Sequence, residues 1–352
     1  MKSFELKDWP KERRSMPKIR YRNLDNIKVD KTFKEIRKWR EERRGKKKDL
    51  SFAVPGVTPR VAYLTDNRLE TTITWIGHST FFIQYAGLNI ITDPVWAERL
   101  GFDRRLVPPG MKIEEVPPVD LILISHSHYD HMHLASIRRL YRAETKLIVP
   151  AGLKGKMVRK GFRNCMEMQW WESVGIGRLK LSFVPAQHWT RRTPFDTDMS
   201  HWGGYILEPA DPGDQTERGS ERELLPPHLY FAGDSGYFPG FKEIGRRFQI
   251  DVALMPIGAY EPEWFMSLQH VNPEEAVQAF LDVGAEMMIP MHYGSFRLAD
   301  DTAREALDRM EAARALQGIA EERIKVLGNG ETLVMPPADV KHEKGDADLS
   351  VW

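Results

Sequence analysis

Leu121-Ile122-Leu123-Ile124-Ser125-His126-Ser127-His128-Tyr129-Asp130-His131 passes from four consecutive large aliphatic residues into three histidines and an aspartate within six positions. A short apolar run broken by a polar turn reads as a core strand, so the polar side chains leave its carboxyl end. Imidazole nitrogen and carboxylate oxygen suit zinc-like ions. Four such groups at one strand end make half of a two-metal hydrolytic site. The bland alternative, a polar loop that happens to be rich in histidine, is disfavoured because matching partners follow downstream.

Those partners share one local grammar, a strand ending in a turn that carries an acid or an imidazole. His188 follows Phe183-Val184-Pro185-Ala186-Gln187, Asp234 follows Leu229-Tyr230-Phe231-Ala232-Gly233, and His292 follows Met288-Ile289-Pro290-Met291. Alone, each is more simply a hydrogen-bonded structural residue. Together with the first motif they supply seven ligands, enough for two metals if one carboxylate bridges: His126, His128 and His188 on one ion, Asp130, His131 and His292 on the other, Asp234 between. Two ions roughly 3.5 to 4 Å apart hold a shared water and lower its pKa toward about 7. The expected chemistry is hydrolysis by a metal-bridging hydroxide.

Other residues take supporting places. His270 precedes a helix beginning at Pro273 and projects from a loop, which makes it a proton-donor candidate more than a ligand; a structural helix-start residue is the alternative. His78 and Asp93 also end strands and are expected to hold ligating imidazoles by hydrogen bonds from behind. His133 and His201 read as surface or supporting groups. The stretch Tyr260-Glu261-Pro262-Glu263-Trp264-Phe265-Met266 either belongs to the core or walls an apolar groove for acyl chains, with Tyr260 touching substrate.

The rest of the chain limits the function classes. Its 352 residues, 41% hydrophobic and 29% charged, have an ordinary globular composition, and a formal net charge of +1 gives no global field for nucleic acid. The one cysteine, Cys165, removes intrachain disulfides and cysteine-rich zinc sites. No apolar stretch resembles a signal peptide or a membrane span, so the expected location is cytoplasmic, with peripheral contact at the inner face of a membrane as an option. Positive charge gathers near the N-terminus. Lys31 to Asp49 holds ten Lys/Arg against four Asp/Glu, with Phe33, Ile36 and Trp39 in a narrow stripe. That pattern predicts a basic amphipathic helix that packs on the body or docks on an anionic surface.

Short strands are expected at 72–76, 80–85 and 88–93, and again at 147–150, 179–185, 203–207, 229–232, 252–257 and 287–291, closed by a hairpin of 324–327 with 332–335. Helices are expected at 135–143, 239–247, 273–283 and 302–316, the third with Pro273 at its start and Glu274 and Glu275 in its first turn. A strand-rich first half and a strand-helix second half predict an α/β fold of four layers, two mixed sheets face to face with helices outside. The expected division is a basic extension over 1–50, a hydrolase domain over 51–337 and a loose tail over 338–352.

The motifs also carry a resemblance. His126-x-His128-x-Asp130-His131 with His188, Asp234 and His292 resembles the metallo-β-lactamase superfamily. The narrower likeness is to the N-acyl-phosphatidylethanolamine-hydrolysing phospholipase D family, through Trp75-Ile76-Gly77-His78-Ser79-Thr80, Thr92-Asp93-Pro94, Val184 to Trp189, Phe231 to Tyr237, Pro256 to Pro262, Gln269 to Ala276 and His292 to Phe296. The resemblance covers roughly residues 70 to 335. It implies an αββα sandwich, two zinc ions on the seven ligands (manganese and iron being the other divalent options), and hydrolysis of N-acyl-phosphatidylethanolamine-like lipids to N-acylethanolamine and phosphatidic acid. It further implies that His270 stabilises charge at the scissile phosphate, that Gln269 beside it contacts substrate, that Asp130 also handles the proton, and that the enzyme is a peripheral membrane protein and a homodimer. Ser127 stands where the family usually has Asn, and His133 where it has Asp. The competing reading on the same scaffold is a lactonase or a phosphodiesterase acting on a small soluble substrate. Nucleic-acid cleavage is the least favoured, since no inserted domain or basic groove accompanies the ligands.

Overall fold

The computed structural model describes residues 19–29, 31–210 and 225–336; the tail expected over 338–352 lies outside them. One sheet has seven strands in the order Thr332–Val334, Thr72–Gly77, Thr80–Tyr85, Leu88–Thr92, Leu121–Leu123, Lys146–Pro150 and Cys165–Met168. Its first four are antiparallel neighbours and the remainder run parallel to Leu88–Thr92. The second sheet has six, Met287–Met291, Val252–Pro256, Leu229–Phe231, Gly204–Pro209, Leu179–Val184 and Ser173–Ile176, again mixed.

Side-chain alternation explains the layering. Along the first sheet Ile73, Phe81, Ile83, Leu121, Leu123 and Ile148 enter the large core that also holds Leu181, Phe183, Tyr205 and Phe231 of the second sheet. Their sequence neighbours Phe82, Ile122, Leu147 and Val149 point the other way, against Ile137, Leu140 and Met157 of the outer helices. A period of two thus sends alternate residues of each strand to opposite layers. Two tyrosines tie the sheets across the core: Tyr85 Oη donates to Leu207 O, and Tyr205 Oη to Ile124 O at 2.8 Å. On the second sheet Pro273–Asp282, capped by Asn272 and Glu275, buries Ala276, Val277 and Phe280. These are the four layers expected.

The closing hairpin is a correction. Residues 324–327 form no strand, only an isolated bridge from Ile324 to Met288, and Thr332–Val334 pairs instead with Thr72–Gly77, completing the first sheet. Turn residues at 328–330 signal a reversal but do not say which edge the returning chain meets. The outer elements Lys154–Arg159, Cys165–Met168 and Ser173–Ile176 carry too weak a pattern to be expected from sequence.

The basic helix is present at Phe33–Gly45, started by a Thr32/Glu35 capping box. Ile36 and Trp39 pack against Ala259, Phe265, Met266 and Ala299, with Trp39 stacked on Phe265, while Phe33 stays 81% exposed. Arg43 and Lys46 reach the buried Asp300, and Lys48 reaches Glu261 and Glu305. Among the described residues no helix is long and apolar enough to cross a membrane.

Candidate metal centre

Every ligand-bearing strand in a given sheet runs the same way, some joined through parallel pairing and others separated by one antiparallel strand. The carboxyl ends of Thr72–Gly77, Leu88–Thr92 and Leu121–Leu123 therefore share one rim of the first sheet. Those of Leu179–Val184, Leu229–Phe231 and Met287–Met291 share one rim of the second. His78, Asp93, the His126–His131 loop, His188, Asp234 and His292 are the side chains that follow. The turns are tight: His78, Asp93 and His292 all adopt positive φ (57°, 34° and 64°), as does Gly233 before Asp234. Non-glycine residues in this region store strain that the surrounding packing must hold, a pattern common at functional sites.

Two groups of ligand atoms result. In the first, His126 Nε2 lies 2.9 Å and His188 Nε2 3.2 Å from His128 Nδ1. In the second, Asp130 Oδ2 lies 3.4 Å from His131 Nε2 and 3.5 Å from His292 Nε2. Asp234 Oδ2 stands between, 3.1 Å from both His131 and His292 Nε2 and 3.9 Å from both His126 and His188 Nε2. The structure brings together the seven residues singled out in the sequence, with His78 beside the second group and His270 beside His188 and Asp234.

These separations fit divalent metal ions. Ligand atoms about 2.0–2.1 Å from a tetrahedral ion sit roughly 3.3–3.4 Å from one another. The nitrogens of His131 and His292 that face Asp234, and Asp234 Oδ1, are buried without a hydrogen-bond partner. Buried polar atoms left orphaned are costly, and several converging on one space call for a cation.

Three of the imidazoles, those of His126, His131 and His188, have their opposite face committed to the protein. Asp93 Oδ2 accepts from His131 Nδ1 at 2.7 Å and from Ser125 Oγ at 2.5 Å, while Asp93 Oδ1 accepts from Ser125 N. Ser125 Oγ in turn accepts from His126 Nδ1, and the carbonyl of Gln269 accepts from His188 Nδ1, each at 2.9 Å. With Nδ1–H donated backward, the Nε2 lone pairs of His126, His131 and His188 point into the centre, whereas His128 presents Nδ1. Asp93 thus sits where the sequence placed it. Ser125 was missed, although its position directly before His126 was the available signal.

Electrostatics separate the two groups. Burial, then neighbouring imidazoles, pushes His126 well below its ordinary value and His128 down to about 3. Burial also lowers His188, to about 4, against the pull of Asp234. His131 and His292 go the other way. Burial opposes their charge, but Asp234 and Asp130 outweigh it, raising His131 well above its ordinary value and His292 to about 9. Asp130 and Asp234 are held well below the carboxylate range: burial opposes this, and His131 leads the charges that overcome it.

His78 Nε2 lies 3.1 Å from Asp130 Oδ2 and its ring 4.1 Å from that of His292, so it steadies a carboxylate more than an imidazole. His270 is brought to the mouth: its side chain is 12% exposed, against 1% for Asp234, whose Oδ2 is 3.9 Å from His270 Nδ1. Burial, with His188 and His292, keeps it well below its ordinary value against the pull of Asp234, hence a neutral imidazole. Two substrate-contact expectations change. Gln269 is buried and serves His188 through its backbone carbonyl, its amide turned to Met266. Tyr260 is 1% exposed and lies in the main core, so it lines no groove. Of that stretch Trp264 reaches solvent, because the basic helix covers Phe265 and Met266. His133 caps the Leu134–Leu140 helix and His201 is sandwiched between Tyr21 and Trp170. Arg192 was not anticipated: its Nη1 donates to the carbonyls of Ser127, Met132 and His128, at 2.7, 2.9 and 3.3 Å.

Comparison with known proteins agrees with this geometry. A model of the beta-lactamase superfamily domain matches residues 88–293. The chain is 34% identical over 264 residues to N-acyl-phosphatidylethanolamine-hydrolyzing phospholipase D 1 of Caenorhabditis elegans, spanning 68% of this chain and 70% of that one. It is 30% identical over 227 residues to a metal-dependent hydrolase of Methanopyrus kandleri, spanning 64% of this chain and 84% of that one. Among solved structures, a metallo hydrolase from Ignicoccus hospitalis shares the fold with a TM-score of 0.54 at 24% identity, over 76% of this chain and 98% of that one.

Proposed function

The chain belongs to the beta-lactamase superfamily and to its N-acyl-phosphatidylethanolamine-hydrolyzing phospholipase D family, is a metal-dependent hydrolase, and, we propose, cleaves the phosphodiester of N-acylated phosphatidylethanolamine to give N-acylethanolamine and phosphatidic acid. The observation that carries this reading is Asp234 Oδ2 standing between two groups of buried nitrogens with His270 at their open side. His126, His128 and His188 would hold one divalent ion and Asp130, His131 and His292 the other, zinc suiting this donor set, with Asp234 shared. Two ions so held supply an acidified water and a positive clamp for phosphoryl oxygens.

The chain's own groups do the rest. Asp130, ionised and steadied by His78, is placed to take a proton from the attacking water. His270, neutral and beside Asp234 at the edge of the cluster, is placed to donate an N–H to the phosphoryl oxygen on which charge grows. Trp264 and Leu268, 42% and 41% exposed, flank the turn leading to His270, and Lys38 lies 4.2 Å over the Trp264 ring. Together they form a basic and apolar surface that supports a lipid substrate presented at a membrane surface.

The test is release of N-acylethanolamine and phosphatidic acid from vesicles containing N-acyl-phosphatidylethanolamine by the zinc-loaded protein. Inactivity on every N-acyl phospholipid, with turnover of a lactone or a soluble phosphodiester, would overturn the substrate assignment while leaving the hydrolase intact.

A further inference from the structure

The amide of Asn23 holds His188 from behind. Asn23 is 7% exposed; its Oδ1 accepts from His188 N at 3.0 Å and from Trp202 Nε1 at 3.1 Å, and its Nδ2 donates to His188 O at 3.0 Å and to Ile27 O at 2.9 Å. Both backbone polar groups of a candidate ligand are therefore satisfied by one side chain 165 positions away. His188 lies past the end of Leu179–Val184, where the ladder with Gly204–Pro209 has already stopped at Val184 and Gly204. A lone amide supplies there the N–H donor and C=O acceptor that the backbone of a neighbouring strand would otherwise offer.

The segment bearing Asn23 is itself anchored. Tyr21 N donates to Asp198 O, Arg20 Nη1 donates to Thr197 O, and the Tyr21 ring stacks on His201 at 4.5 Å. It lies before residues 88–293, which the superfamily model matches, so the strap is built from outside the recognised domain.

We propose that Asn23 is a positioning residue of the metal centre and that residues 19–29 form a strap setting its affinity. With Nδ1 held by Gln269 O and the backbone held by Asn23, His188 Nε2 has one direction left. Removing the amide orphans a buried N–H and a buried carbonyl, and the ring relaxes away from His126 and His128. The inference rests on the metal reading above.

The test uses the full chain, wild type beside Asn23→Ala, Asn23→Asp and Arg20→Ala. Zinc affinity is measured by competition with a chelator, and melting temperature with and without zinc. Asn23→Ala is expected to weaken one of two zinc ions about 10–100-fold, as losses behind a ligand usually do, and to shrink the zinc-induced rise in melting temperature. Asn23→Asp keeps the acceptor and loses the donor, so its loss is smaller; it also carries the test if the alanine variant does not accumulate. Arg20→Ala loosens the strap but keeps the Asn23 amide on His188, so its zinc loss is expected to be smaller than that of Asn23→Ala. Unchanged zinc midpoints in both Asn23 variants would overturn the proposal even if melting temperatures fell, and so would an equal loss in Arg20→Ala. A wild type that takes up no zinc would instead overturn the metal reading on which this rests.

Discussion

Asp93→Asn isolates one carboxylate behind the metal ligands. Asp93 is fully buried and accepts three hydrogen bonds, from His131 Nδ1 at 2.7 Å, Ser125 Oγ at 2.5 Å and Ser125 N at 2.7 Å. An amide has the same shape, and its φ of 34° suits asparagine, so the backbone tolerates the change better than it would alanine. Only one of its two termini accepts. If Nδ2 faces His131, two N–H groups oppose each other and the ring must move its proton to Nε2, where the ligand lone pair is needed. If Nδ2 faces Ser125 N, the loop that carries His126 loses its anchor. Either way the metal is held less well, by about 10–100-fold, equivalent to roughly 1.4–2.8 kcal/mol. Folding loses less, about the 1 kcal/mol of a typical hydrogen bond plus the cost of the opposed donors. Metal per chain after dialysis, chelator competition and urea unfolding separate the two effects. A variant that keeps two ions with unchanged competition midpoints would refute the claim that Asp93 fixes the His131 tautomer.

Three further outcomes follow from the same geometry. His270→Ala should keep its metal content and lose about 100-fold or more in turnover, the usual contribution of one positioned proton-transfer or charge-stabilising group; unchanged turnover would remove His270 from the reaction. Metal uptake should strengthen from about pH 6 to about pH 8, because a metal must displace protons from His131 and His292, the latter raised to about 9, with up to tenfold per pH unit for each proton. His126, His128 and His188 are already neutral there and add no slope, so midpoints flat with pH would contradict the assignment of charge. Arg192→Ala should lower stability by roughly 2–3 kcal/mol, from one to two charged hydrogen bonds to the 127–132 loop, read by urea unfolding. A change below the error of that measurement would show that the loop holds itself.

The seven candidate ligands were legible because the signal is local: an aliphatic run that stops at a histidine or an aspartate states both a strand and its end. His292 follows such a run directly, His126, His188 and Asp234 follow one within a few residues, and the structure brings all of them to one place. Helix starts at Asn272 and Thr302 were readable for the same reason, since a cap and its N3 glutamate lie within four residues. Tyr260 and Gln269 were misplaced because nothing near them says which way a side chain faces once the basic helix covers the loop from outside. The strand at 332–334 was found and its partner was not, for a β-ladder is a contract between segments more than 250 residues apart.

By itself, then, the sequence determined the ligand types, their order, and that strand ends would carry them, all of which follow from the period of two and the chemistry of imidazole and carboxylate. The tertiary structure alone decided that Asp234 Oδ2 stands equidistant from His126 and His188, that Asp93 and Ser125 set two tautomers at once, and that Asn23 reaches His188 from a segment with no motif. Hydrophobic periodicity is written within a few residues, whereas the angles and separations that make a metal site depend on how two sheets pack, and packing is a property of the whole chain.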